Sequence, residues 1–130
     1  MSCARAKINI CAVEGETLKR DFIWKAGVPP VGVDLTDFTG VCQVRTSVSS
    51  ATPVFELTQA NGGFVFADQS ITPGGYSLKI AASETEGMCS SGMPVVLVYD
   101  LIFKDADDKV RVLQYGTLSI APAITRTWEA

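Results

Sequence analysis

The chain has 130 residues and no histidine, so any catalytic or metal-binding group must come mainly from its carboxylates and cysteines. Histidine is the commonest general base and zinc ligand, and without it no Ser-His or Cys-His pair can form. Asp100 is the candidate for carboxylate chemistry of the kind that hydrolyses glycosides, because it interrupts an apolar run. We favour the alternative that Asp100 lies on an outer sheet face or pairs with Arg45 or Arg111, since buried carboxylates are normally paired.

Three carboxylates stand close together between two apolar runs, at Asp105, Asp107 and Asp108. Alternating carboxylates can hold calcium, but this pattern lacks the fixed glycine and the downstream bidentate glutamate of a calcium-binding loop. Aspartate is also favoured in turns, because its side chain bonds to nearby backbone N–H groups. We therefore predict a turn and no metal.

Four cysteines complete the reactive side chains, and none of them forms a Cys-x-x-Cys pair: they are Cys3, Cys11, Cys42 and Cys89. This spacing disfavours a zinc site. Cys11 and Cys42 stand in strand-like runs, where a thiol behaves as a small apolar side chain. We predict that all four remain thiols, as in a protein made in the cytosol.

The overall charge and the glycine pattern exclude further classes of site. The net charge is −3 and the basic residues are scattered, which disfavours a nucleic-acid partner. The glycines stand in the turns 61–63 and 73–75 and do not form a phosphate-binding loop. No apolar run is long enough to span a membrane, and the first residues do not resemble a signal peptide. We predict no cofactor, no membrane partner and no enzymatic activity.

Two tryptophans are candidates for contacts with other proteins. Trp24 stands at the end of a strand-like run, and core packing is the interpretation we favour for it. Trp128 stands in the segment 125–130, where a tryptophan either docks on its own domain or anchors a neighbour. The candidate interface residues are Thr125, Arg126, Trp128 and Trp24.

These residues must be positioned by strands, and the clearest pair of strands lies between residues 94 and 123. Two runs rich in β-branched and aromatic residues flank the acidic turn, which predicts a β-hairpin. Alternate residues of its first arm form one apolar face: Val95, Leu97, Tyr99, Leu101 and Phe103. The opposite face is mixed, so we expect it to be partly exposed.

The rest of the chain predicts six more strands, at 6–13, 17–25, 39–47, 54–58, 64–66 and 76–82. Residues 27–32 predict a loop, and residues 83–88 predict one helical turn capped by Ser83. Turn signals every 8–12 residues or so are typical of a sandwich or barrel. We predict an all-β fold: a single antiparallel two-sheet β-sandwich of about eight strands, immunoglobulin-like or jelly-roll, spanning residues 1–124 and followed by a tail at 125–130.

Four stretches carry a resemblance to a known family. They are Gly15-Glu16-Thr17 with Phe22-Ile23-Trp24; residues 33–40 leading into Cys42-Gln43-Val44-Arg45; residues 78–85; and Val98-Tyr99-Asp100-Leu101 with residues 115–126. In this order, over about residues 14–126, the sequence resembles small β-sandwich proteins and domains of tailed bacteriophages and prophages.

The resemblance implies a structural part of a virion, either an attachment domain of tail fibres and baseplates or a decoration protein of the capsid. It implies no catalytic residues. Because the sequence ends soon after Arg126 without a fibre extension, we expect a separate tail or neck adaptor or fibre-attachment subunit. It would assemble in the host cytoplasm through contacts with its own copies and with other virion proteins. The alternatives are a capsid decoration (cement) protein and, less favoured, a module binding host glycans through Trp24, Trp128 or Tyr76.

Overall fold

The computed structural model describes residues 6–89 and 91–124, and it confirms the predicted all-β class. Eleven strands and one short helix are formed by these residues. They are β1 Ala6–Lys7, β2 Ile10–Val13, β3 Leu18–Ile23, β4 Lys25–Ala26, β5 Val31–Gly32, β6 Thr39–Arg45, β7 Phe55–Thr58, β8 Phe64–Phe66, β9 Gly75–Ile80, α1 Ala82–Thr85, β10 Val95–Lys104 and β11 Val110–Ala121.

The predicted hairpin is confirmed and lies at the centre of the largest sheet. β10 and β11 pair antiparallel, with Leu97 opposite Leu118 and a register shift between Leu101 and Ile102. The predicted apolar face is turned into the core, where Leu101 and Phe103 are fully buried. The other face stays partly exposed, as the mixed side chains require.

The largest sheet is mixed, which corrects the prediction of an antiparallel fold. Its strand order is β1-β11-β10-β6-β7, and β2 also pairs with β11. Both β1 and β2 run parallel to β11, whereas β10, β6 and β7 are joined by antiparallel ladders. Parallel neighbours need a long crossover. Here the whole intervening chain supplies it, so no local turn signal marks the pairing.

The predicted first strand is interrupted at Ile8 and Asn9, which separates β1 from β2. The Ile8 carbonyl accepts a hydrogen bond from the Tyr99 hydroxyl (2.7 Å), and the Asn9 side chain accepts one from the Thr117 N–H (3.1 Å). Gly116 permits this approach, because a Cβ there would collide with the Ile8 carbonyl. Such interruptions are one reason why the strands outnumber the eight predicted.

The second predicted strand is interrupted in the same way, at Trp24. Its N–H donates to the Gly74 carbonyl and its own carbonyl accepts from the Val33 N–H, each at 2.9 Å. Before this point β3 joins the three-stranded sheet β3-β9-β8, and after it β4 pairs with β5. The predicted loop at 27–32 therefore ends in a short strand.

Core side chains of the six-stranded and three-stranded sheets belong to one apolar cluster. Phe103 lies at its aromatic centre, with its ring centroid 5.0–6.2 Å from those of Trp24, Phe38, Phe64, Phe66 and Tyr76. Tilted and edge-on rings at these separations stabilise a core beyond the area that they bury.

The helix α1 differs from the prediction at its start. Its N-cap is Ala81, no side chain caps it, and Ser83 lies inside it. The Glu84 N–H is instead satisfied by the Ala81 carbonyl at 3.0 Å, so a backbone turn takes the place of the expected serine cap.

Candidate functional site

The outer face of the six-stranded sheet carries a row of polar side chains that crosses four strands. The pairing register places Lys7 beside Tyr115, Tyr115 beside Asp100, and Asp100 beside Gln43. Gln43, Asp100 and Tyr115 belong to the face opposite the core, because their neighbours along each strand are buried, and Lys7 is exposed beside Tyr115. Alternation along each strand thus decides on which face a side chain lies, and the pairing of distant strands brings the four side chains into one row.

An open groove of about 410 Å³ runs over this row. It is lined by Lys7, Gln43, Arg45, Val48, Val98, Tyr99, Asp100, Tyr115, Gly116 and Thr117. Its volume lies within the range of ordinary ligand pockets. The lining combines apolar valines with charges of both signs, so the groove can contact a surface that is partly apolar and partly polar.

Arg45 is held in position at the rim of this groove by a chain of hydrogen bonds. Its Nη2 donates to Gln43 Oε1 (2.6 Å), and its Nη1 donates to the Ser50 carbonyl (2.8 Å). Gln43 in turn donates from Nε2 to Glu56 Oε2 (2.5 Å). A guanidinium held in this way loses little further freedom when it binds a partner.

Asp100 lies on the outer face, which is one of the two alternatives predicted for it. It makes no ion pair with Arg45 or Arg111 in the described part of the chain. Arg45 is engaged as described above, and the Arg111 guanidinium carbon lies 5.9 Å from the centre of the Trp24 ring. The half-exposed Asp100 carboxylate therefore keeps its hydrogen-bonding capacity for a ligand or for water.

Of the predicted interface residues, the structure describes only Trp24, which is not part of the groove lining. Trp24 is half-buried, packs against Phe38 and Phe103, and is covered on its outer side by Arg111. Thr125, Arg126 and Trp128 lie outside the described residues. The groove was not anticipated, because its members are far apart in sequence and no motif joins them.

The acidic turn has the local geometry that the sequence predicts. Asp105 Oδ1 accepts hydrogen bonds from the N–H groups of Asp107 and Lys109, both at 2.9 Å. Asp108 pairs with Lys104 at 3.2 Å. Within residues 6–89 and 91–124, no group of three candidate ligands is placed to hold a metal ion.

The three described cysteines are thiols, and they differ in burial. Cys42 is buried as predicted, and burial, with a smaller contribution from the Asp100 charge, raises its pKa to about 12. Cys11 is exposed, which corrects its interpretation as a buried apolar side chain. Its side chain falls on the outer face of β2, and alternation alone does not say which face of an edge strand is covered. Cys89 is buried and donates from Sγ to the Ile120 carbonyl at 3.3 Å.

Two buried polar residues were missed by the sequence analysis. Glu14 directly follows the predicted first strand, and only 4% of it is exposed. Its Oε2 accepts from the Cys89 N–H (2.8 Å) and its Oε1 from the Ala123 N–H (3.2 Å). Gln114 is fully buried in a strand predicted as apolar. Nothing in the local sequence distinguishes either residue from an exposed one.

Gln114 connects the two larger sheets through tyrosine hydroxyls. Tyr76 of β9 donates to Gln114 Oε1 (2.7 Å), and Gln114 Nε2 donates to the Tyr99 hydroxyl (2.8 Å). Burial raises the pKa of Tyr76, and the neighbouring Tyr99 adds to this shift. Tyr76 is thus part of the core and is not placed to stack on a sugar.

The comparisons with known proteins give no family for this chain. No protein-family model matches it, and no significant match is found among curated protein sequences. None of the described helical residues forms a segment long and apolar enough to cross a membrane.

Proposed function

We propose that this chain is a non-enzymatic structural subunit of a tailed-phage virion, acting as a tail or neck adaptor or fibre-attachment protein. The observation that carries the proposal is the groove on the outer face of the six-stranded sheet. It presents Arg45 and Tyr115 beside Val48 and Val98 on a rigid scaffold. Arginine and tyrosine are enriched at protein interfaces, where they surround or fill apolar contacts.

The proposal includes a finer description of the fold as a two-sheet sandwich. The three-stranded sheet would cover the core face of the six-stranded sheet, with the β4–β5 pair at one end. This arrangement is supported by the single apolar cluster shared by both sheets and by the Tyr76–Gln114 bond between them. A stiff sandwich suits a subunit that must hold neighbours in fixed positions.

Mass spectrometry of purified virions tests the proposal. Particles from a phage or induced prophage that encodes the chain should contain it in fixed stoichiometry to the other structural proteins. Its absence from particles purified to constant composition would overturn the proposal.

The same measurement decides between the tail and the capsid. A few copies per particle would indicate a tail or neck adaptor, whereas a copy number near that of the major capsid protein would indicate the alternative, a decoration protein. Deleting residues 125–130 should leave the fold intact and prevent incorporation, if Trp128 anchors a neighbour. Normal incorporation of the truncated chain would exclude the tail as the anchor.

Asp100 favours a second candidate function, the binding of host glycans. Its carboxylate is half-exposed in the groove and has no hydrogen bond from the described residues. Sugar hydroxyls are donors that such a carboxylate can accept, and Lys7 and Arg45 can donate to sugar oxygens. A glycan array probed with the native chain, with Asp100→Asn and with Asp107→Asn as control tests this function. Binding that only Asp100→Asn abolishes would support it, and an array without hits would exclude it.

A further inference from the structure

The strand β3 forms an edge of the three-stranded sheet, and most of its outward backbone groups have no hydrogen bond from the described residues. On β9, Gly75 and Lys79 are bonded to the β8 side, through Ala67 N–H to Gly75 O (3.0 Å) and Lys79 N–H to Gly63 O (2.8 Å). The alternate residues of β9, including Tyr76 and Leu78, therefore bond to β3. The Trp24 N–H, two residues after Phe22, also bonds on this side, to the Gly74 carbonyl at 2.9 Å.

It follows that Leu18, Arg20 and Phe22 point their backbone groups towards β9, while those of Lys19, Asp21 and Ile23 point away. The described residues form no hydrogen bond to the N–H of Lys19 or to either backbone group of Asp21 and Ile23. The Lys19 carbonyl has one contact, from the Arg20 guanidinium at 3.2 Å. The side chains of Lys19, Asp21 and Ile23 are all exposed, so the edge is accessible.

The edge strand β7 of the six-stranded sheet differs, because a side chain bonds two of its backbone groups. The Asn61 side chain accepts from the Thr58 N–H and donates to the Glu56 carbonyl, both at 2.9 Å. One amide thus occupies edge groups that a foreign strand would otherwise bond. Edges left open are sites of strand addition. The chain bonds two outward groups of the β7 edge internally, whereas β3, a longer strand, has only its Lys19 carbonyl bonded in this way within the described part of the chain.

We propose that β3 pairs antiparallel with β3 of a second copy of this chain, with Lys19 of each copy opposite Asp21 of the other. This pairing would join two three-stranded sheets into one six-stranded sheet across a two-fold axis. It rests on the proposed function for its biological role, since it names the self-contact of that structural subunit. Lys19 and Asp21 can form the hydrogen bonds of this pairing, because the backbone groups of both residues point outward from the sheet.

Charge selects this register over its neighbours. Sliding the partner by two residues, the smallest step that keeps the hydrogen-bonding phase, places Asp21 opposite Asp21 or Lys19 opposite Lys19. Like charges directly opposite each other destabilise a ladder, and opposite charges stabilise it. Within one copy Lys19 already lies opposite Lys79 on β9, and its Nζ is 3.9 Å from Asp21 Oδ1. Asp21 of the second copy would therefore bring another carboxylate close to Lys19 and Lys79.

The register also places Arg20 opposite Arg20 at the two-fold axis. In one copy the guanidinium is turned back onto its own chain, with Nη2 3.5 Å from the Cys11 carbonyl and Nη1 3.2 Å from the Lys19 carbonyl. The Lys19 carbonyl is one of the outward backbone groups, so Arg20 must release it when the partner strand bonds there, and the favourable Lys19–Asp21 pairs determine the register.

A charge-swap series in solution tests the pairing. Sedimentation and light scattering over a concentration series at low salt should show a dimer of the native chain. Asp21→Lys and Lys19→Asp should each weaken dimerisation by about tenfold or more, because each converts two attractive pairs into repulsive ones. The double variant K19D/D21K should restore the dimer. Asp107→Lys and Lys109→Asp make the same charge changes in the distant hairpin turn and should leave the dimer intact.

Amide hydrogen exchange gives an independent readout that does not depend on any variant folding. The amides of Lys19 and Asp21 should become protected as the protein concentration rises, whereas the Phe22 amide, already directed at β9, should not change. A native chain that stays monomeric, single variants that dimerise normally, or a double variant as weak as the single ones would each overturn the proposal. None of these results affects the virion test above, so the two proposals fail separately.

Discussion

Among single residues, Glu14 joins three separate chain segments. Its carboxylate binds the backbone of Cys89 after α1 and of Ala123 after β11. The next residue, Gly15, donates its N–H to Thr85 Oγ1 at 2.9 Å. A buried backbone N–H without an acceptor is costly, and here one side chain satisfies two of them.

We predict that Glu14→Gln lowers the free energy of unfolding by about 1–3 kcal/mol. The amide keeps one acceptor oxygen but turns an NH₂ group towards the other backbone N–H. Glu16→Gln, at an exposed position of the same turn, should change stability by less than about 0.5 kcal/mol. Urea denaturation of the three proteins measures the difference. Equal stability of the two variants would show that the Glu14 contacts do not matter.

At the scale of elements, the edge strand β7 depends on one side chain in the turn that follows it. Asn61 makes the two edge bonds described above and also accepts from the Gly63 N–H at 2.8 Å. A single asparagine therefore shapes the turn and bonds two backbone groups that a neighbouring strand would otherwise bond.

Asn61→Ala should therefore open β7 as well as destabilise the turn, by about 1 kcal/mol or more. We expect association that increases with concentration and that K19D or D21K does not relieve, because it involves an edge of the other sheet. Asn61→Asp keeps the two accepted bonds and should stay closer to the native protein. Light scattering and thermal unfolding separate the two variants. An Asn61→Ala protein that is as stable and as little associated as the native chain would contradict this role.

For the whole molecule, burial of ionisable side chains predicts a loss of stability at alkaline pH. Burial raises the pKa of Cys42 from an ordinary value of 9.0 to about 12, and it also raises the pKa of Tyr76 above 10.0. The unfolded chain ionises at the ordinary values, whereas the folded chain resists ionisation. The stabilisation is therefore complete below pH 9 and is lost progressively as the pH rises towards 12.

Urea midpoints measured between pH 7 and pH 11 should show this decline. Cys42→Ala removes one of these groups, so the decline above pH 9 should be less steep, although the smaller side chain lowers stability at pH 7. Cys11→Ala removes an exposed thiol and should keep the native slope. If Cys42→Ala and the native chain decline in parallel, ionisation of this thiol is not the cause.

Several strands and turns were predictable from the local sequence. Apolar, β-branched and aromatic runs predicted β6, β8, β9, β10 and β11, and alternation set the faces of β9 and β10, because the period of two is a property of each strand by itself. The β10–β11 hairpin was predictable because its arms are joined by a short turn that brings them together. The Asp105 turn followed from aspartate bonding to its neighbouring N–H groups.

The parallel pairing of β1 and β2 with β11, the burial of Glu14 and Gln114, and the groove at Asp100 were decided only by the tertiary structure. Each depends on which distant strand lies alongside, and a local pattern carries no information about a partner far along the chain. The sequence by itself determined that this protein is built of strands and which faces of the central strands are apolar. The tertiary register determined which polar side chains meet on the outer face, and which sheet edges remain open to another molecule.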